Sequence, residues 1–217
     1  MDSIIQKIRE SFNLSTSAEL TLEANPNDLS DASLTSYLDI GINRLSIGVQ
    51  SLNDRLLKLL GRRHSANEAL KATQMAIDAG FRNVSIDLMY GLPHQSLNDW
   101  TNTLEAMDSI NIQHISMYCL TLEGATPMEQ HVTSGRLPDP DPDLAADMYL
   151  IAEDVMNSKG YRHYEISNWA IPGMESRHNL IYWKNQQYLG VGPGAHSHLF
   201  KQRFQNLRSP REYIKSL

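Results

Sequence analysis

Residues 84–90 read VSIDLMY and run into Gly91, Leu92 and Pro93, and the way their side chains alternate decides the fold. In an extended chain Val84, Ile86 and Leu88 point to one side and Ser85 and Asp87 to the other. Three more segments repeat this. Residues 44–50 (RLSIGVQ) set Leu45, Ile47 and Val49 against Ser46, Gly48 and Gln50, and residues 19–25 (ELTLEAN) set Leu20 and Leu22 against Thr21, Glu23 and Asn25. Downstream, residues 114–122 (HISMYCLTL) set Ile115, Met117 and Cys119 against Ser116 and Tyr118. Helical patterns of ordinary length lie between these segments. Ser65 and Glu68 form a capping box ahead of Ala69, Ala72, Ala76 and Ala79, with Gly80 as the stop; Ser96 and Asp99 repeat the device ahead of Trp100, Leu104 and Met107. Gly41 and Gly61 sit where two further helices should stop.

Strands separated by whole helices must pair in parallel through right-handed crossovers, so the chain reads as α/β. Parallel strands buried on both faces are near-continuous apolar runs, and these alternate instead. The apolar face therefore meets the helices while the polar face lines an interior, as in a partial (βα) barrel whose lumen holds a polar ligand. An antiparallel sheet with one wet face would alternate in the same way, but helix-length connections stand where hairpin turns would be needed.

Ile4, Ile5, Ile8 and Phe12 mark a helix before the first strand. The run PDPDPD over 138–143 forbids a helix and reads as a stiff acidic joint whose last Asp caps the next helix, 144–159, which Gly160 ends. One more strand is expected over 161–170. The expected organisation is a partial barrel over 1–137, followed by a smaller α+β extension over 138–217 that completes the core.

Composition narrows the function. With 217 residues, 41% of them hydrophobic, the chain can build a real core, and its net charge of -6 offers no basic field for nucleic acid. No segment is long and apolar enough to span a membrane, and the N-terminus lacks the order of a signal peptide, so a cytoplasmic location is expected. The single cysteine, Cys119, excludes disulfides, cysteine-rich zinc sites and a protein-ligated iron–sulfur cluster within this chain. Alternating with apolar neighbours, Cys119 itself reads as a buried, inert thiol.

Glu23, Gln50 and Asp87 fall toward the C-terminal ends of their strands on the polar face, where α/β barrels keep their active sites. Carboxylates there suit a ribose hydroxyl pair or a cationic centre, with Gln50 reading an amide or carboxylate edge and Arg62 a fixed positive charge. The plainer reading is that Glu23 pairs with Arg44 or another barrel cation and merely satisfies a polar interior. Gly190, Gly192 and Gly194 flank Pro193, which removes an N–H that a phosphate cradle would use, so a tight structural turn is the better reading. His196 and His198 share a strand face without a third ligand, so no dedicated metal site is expected, and His178 has the chemistry of an axial haem ligand. The rings of Tyr161, Tyr164, Trp169, Tyr182, Trp183 and Tyr188 either stack on a flat macrocycle or form a core.

Taken together, ELTLEANP, NRLSIGVQS, LGR, SIDLMYGLP, YEISN, HNLIYW and GVGPGAHS resemble the radical S-adenosylmethionine family, in the group that contains oxygen-independent coproporphyrinogen III oxidase and a related haem chaperone. The resemblance spans nearly the whole chain, and YEISN, HNLIYW and GAHS resemble the chaperone branch. It implies that Glu23, Gln50, Arg62 and Asp87 contact S-adenosylmethionine, with His196 near its adenine, and that His178, Tyr182 and Trp183 form an H-N-x-x-Y-W haem motif. The family's C-x-x-x-C-x-x-C segment is not in this sequence, so the 4Fe-4S cluster expected of the family would not be held by this chain. No catalytic residue is assigned: the chain reads as an internal piece of such a protein, catalytically inactive alone, with feeble S-adenosylmethionine binding. The implied function is haem binding and transfer to a membrane-bound respiratory acceptor. The alternatives are a coproporphyrinogen oxidase-like enzyme of porphyrin biosynthesis or an inactive fragment, and the exposed strand edge of a partial barrel points to a complementing N-terminal chain or a homo-oligomer.

Overall fold

The alternating segments form the central strands, and the helices fall between them. In the computed structural model, which describes all of residues 1–217, α1 (Asp2–Ser11) precedes β1 (Thr21–Ala24), which is shorter than the sequence pattern because the next turn begins at Pro26. There follow α2 (Asp31–Asp39), β2 (Arg44–Gln50), α3 (Asp54–Leu59), α4 (Ala66–Asp78), β3 (Val84–Tyr90), α5 (Leu97–Ala106) and β4 (His114–Cys119). The capping boxes at Ser65 and Ser96 are both formed, and Gly41, Gly61 and Gly80 follow their helices with φ of 95°, 67° and 108°, the left-handed region that glycine enters without strain.

β1 to β4 pair in parallel, in order, each connection crossing through at least one helix. The next elements, α6 (Pro127–Thr133), α7 (Pro142–Ser158), β5 (Arg162–Glu165) and β6 (Asn168–Ala170), extend the same sheet to the order β1-β2-β3-β4-β6-β5. β6 runs antiparallel to β4 and to β5, so residues 161–170 supply a tight hairpin rather than the single strand expected. The sequence hid it because the turn at Ile166 and Ser167 carries no Gly, Pro or Asn-Gly signal.

The helix-facing side of the sheet is the core. Leu45, Ile47, Val84, Ile86, Leu88, Ile115 and Met117 are buried there beneath Ala69 and Ala76 of α4, Trp100 and Leu104 of α5, and Met148, Ala152 and Met156 of α7. Trp100 Nε1 donates to the Met148 carbonyl at 2.8 Å, tying α5 to α7. That packing moves the division of the chain. A break at 137/138 is expected from the Pro-Asp joint, but the contacts divide into Met1–Glu175 and Ser176–Leu217, because α7 lies on the sheet and β6 pairs with β4. The second unit holds α8 (Arg177–Trp183), the antiparallel hairpin of β7 (His196–Leu199) and β8 (Gln202–Gln205), and α9 (Pro210–Ser216).

Candidate functional site

The polar face of the first unit is a continuous row of hydrogen-bonding side chains. Register sets Glu23 beside Ser46, Asp87 beside Ser116, and Ser116 beside Asn168. Ser46 Oγ donates to Asp87 Oδ1 at 3.1 Å, and Ser116 also hydrogen-bonds that carboxylate. Burial raises the Asp87 pKa above the usual carboxylate range. The Ser116 and Ser46 hydrogen bonds and the charge of Arg44 pull it back, and the charge of Glu23 pushes it further up. Carboxylates on β1 and β3, with β2 between them, are relieved by a cation or by hydroxyl donors on the shared face.

At the C-terminal end of the same face, Gln50 has a φ of 67° and the β2–β3 register slips between Ile47 and Gln50. A non-glycine residue held there stores strain of about 1–3 kcal/mol, which the surrounding packing must hold in place. The bend turns the Gln50 amide back over Gly48: a Cβ on Gly48 would lie 3.1 Å from Gln50 Nε2, 3.8 Å from the Ala24 carbonyl and 3.9 Å from Asn25 Oδ1. Asn25 in turn accepts from Arg62 Nη1 at 3.1 Å. Of the residues picked out in the sequence, the charge of Glu23 therefore acts on Asp87, Arg62 is held by Asn25, and Gln50 lies over Gly48. The sequence placed Asn25 on this face but gave no sign that it holds Arg62.

A second row, nearer the strand N-termini, was not legible as chemistry. Ser85 Oγ lies 2.7 Å from His114 Nδ1, and His114 Nε2 lies 2.8 Å from the Tyr164 hydroxyl. Burial pushes His114 down to about 3, with the charge of Arg44 adding to the effect, so the ring is neutral, with one nitrogen donating and the other accepting. Arg44 is 4% exposed and acts on Asp87 and His114 rather than serving as the partner expected for Glu23.

In the second unit the aromatic set divides from that of the first. Trp169 is fully buried in the sheet core, whereas Tyr182 and Trp183 stand exposed on α8. His178 Nε2 and the Tyr182 hydroxyl are 2.8 Å apart, one helical turn along the same face. The rings continue edge to face, with centroids 4.9 Å apart for His178 and Tyr182, 4.6 Å for Tyr182 and Tyr188, and 6.2 Å for Tyr188 and His198. His198 is buried and its Nδ1 donates to the Gln186 carbonyl at 2.9 Å, while His196 lies exposed on β7. The glycine turn closes on itself: Asn206 Nδ2 donates to the carbonyls of Gly190 and Gly192, and a Cβ on Gly190 would fall 2.2 Å from the His196 carbonyl oxygen.

These residues do not fit an iron–sulfur cluster. Cys119 is the only thiol, and it is exposed at the end of β4 rather than buried as its alternation implies, because burial along that strand stops at Met117. Burial of its sulfur still pushes the thiol pKa up, and no three His, Cys, Asp or Glu side chains converge as metal ligands.

Residues 3–107 match the model of the radical SAM superfamily. Among curated proteins, the chain is 38% identical over 216 residues to the heme chaperone HemW of Lactococcus lactis subsp. lactis (strain IL1403), covering 100% of this chain and 57% of that protein. It is 44% identical over 200 residues to the mitochondrial radical S-adenosyl methionine domain-containing protein 1 of Bos taurus, covering 92% of this chain and 45% of that one. The chain thus spans about half the length of these relatives. Among solved structures, coproporphyrinogen III oxidase (HemN) from Escherichia coli superposes with a TM-score of 0.84 over 99% of this chain and 52% of its own, at 22% identity, a likeness of fold.

Proposed function

The chain belongs to the radical SAM superfamily, and from that premise we propose that it binds haem and hands it on, with His178 as the ligand to iron. The observation that carries this reading is the exposed pair of His178 and Tyr182, 2.8 Å apart on α8 beside the exposed Trp183, in a chain similar to proteins named heme chaperones. A neutral imidazole offers one lone pair, the phenol hydrogen-bonds it when iron is absent, and the aromatic rings give a porphyrin apolar surface to lie on.

Within the same reading, Glu23, Gln50, Arg62 and Asp87 bind S-adenosylmethionine. That molecule supplies a carbon radical when a reduced cluster cleaves it, and the residues of this chain contribute binding alone. The carboxylates of Glu23 and Asp87 meet its ammonium or ribose hydroxyls, and Gln50 and Arg62 meet its carboxylate. Decarboxylation of coproporphyrinogen by a substrate radical needs a cluster that these residues do not fit. No helix is long and apolar enough to cross a membrane.

Haemin titrated into the metal-stripped chain should saturate with a shifted Soret band, and His178→Ala should weaken binding about tenfold or more and move the band. A spectrum and affinity unchanged in that variant remove His178 from the site.

A further inference from the structure

Charge is divided very unevenly between the two units. Ser176–Leu217 carry seven arginines and lysines against the single carboxylate of Glu212, a net of +6, so Met1–Glu175 carry -12 of the chain's -6. The whole-chain value conceals a basic surface on the unit that holds His178. One of its cations has a fixed position: Arg203 on β8 lies opposite His198 in the hairpin, and its Nη2 donates to Asn185 Oδ1 at 2.6 Å. Asn185 follows Lys184, the residue that caps α8, and turns the chain with a φ of 49°. The guanidinium is thus held at the C-terminal end of α8, seven residues from His178, or about 10 Å along the helix at its usual rise. The edge-to-face rings of Tyr182 and Tyr188 lie between. One bond to Asn185 leaves most of the five guanidinium donors for a carboxylate, which this fork engages in bidentate fashion.

We propose that Arg203, assisted by Lys184, anchors the propionate carboxylates of haem whose iron is at His178. The anchor rests on the haem reading above and adds to it the reason a cationic unit accompanies an aromatic one. A porphyrin held by its ring and iron alone would slide over the exposed Tyr182 ring, and a salt-bridged edge fixes its orientation.

The test is a Soret titration of the full chain with haemin and, separately, with its dimethyl ester, which keeps the ring and iron and has no carboxylate. The wild type should bind the ester about tenfold more weakly than haemin, the loss expected when a charged hydrogen bond is removed. The double variant Arg203→Gln, Lys184→Gln should bind haemin as weakly as the ester, with its Soret position kept, and Arg203→Lys should recover part of the difference. Equal binding of the two porphyrins by the wild type, or an equal loss for both in the double variant, overturns the anchor while the haem reading stands. No His178-dependent shift with either porphyrin overturns the haem reading, and the anchor with it.

Discussion

Trp100→Ala should destabilise the first unit by about 3–5 kcal/mol, the usual cost of emptying a large aromatic site in a core. Trp100 is fully buried, its ring lies 5.6 Å from that of Tyr90, and its Nε1 donates to the Met148 carbonyl at 2.8 Å. Alanine leaves a cavity between α5, α7 and β3 and an unpartnered carbonyl in the same place. Trp100→Phe keeps much of the packing and loses the hydrogen bond, so its cost should be nearer 1–2 kcal/mol. Urea unfolding with an unchanged m-value checks both. A cost below about 1 kcal/mol for the alanine variant would mean that α7 is not part of the barrel's core, and the placement of the unit boundary at Glu175/Ser176 would fail with it.

The second large effect is a loss of stability in acid that is traceable to His114. The ring is 1% exposed and pushed down to about 3 in the folded chain, against an ordinary value near 6.5. Above pH 6.5 the ring is neutral in both states and contributes nothing. As pH falls toward 3 the unfolded chain takes up a proton that the folded chain refuses. Stability should therefore drop by about 1.4 kcal/mol per pH unit, on the order of 4 kcal/mol in all. Asp87 works in the opposite sense. Its raised carboxyl binds a proton more readily when folded, so it adds stability at low pH that is lost as pH rises through its folded pKa. His114→Gln keeps a hydrogen-bonding group between Ser85 and Tyr164 without the titration, and its stability should be flatter between pH 6 and 4. Equal slopes for the two proteins would show that His114 is not the group responsible, as would an imidazole that NMR finds charged at pH 5 in the folded chain.

What was legible in the sequence is what depends on periodicity and local signals. Alternation placed Asp87 and Glu23 on one face and Ile86 and Leu88 on the other, and the caps at Ser65 and Ser96 located their helices. The hidden features depend on what lies across the fold. Cys119 alternates perfectly, yet burial along β4 stops at Met117 and leaves the end of the strand exposed. The left-handed turn at Gln50 accompanies a register slip between β2 and β3, and the bond from Arg62 to Asn25 joins residues 37 apart, neither of which periodicity can register. Arg44 and His114 were visible only as polar residues at strand starts, and burial gives them their chemistry. The basic character of residues 176–217 was present in the composition throughout but emerges only once the unit boundary is known.

The claim that this chain carries haem is tested most directly by loading it with haemin and mixing it with excess apomyoglobin, following the Soret band of myoglobin in time. Transfer should be complete, in a single exponential slower than from haemin alone and faster for His178→Ala, with no cluster or S-adenosylmethionine present. Transfer as fast as from unbound haemin, or a rate indifferent to His178, would contradict it.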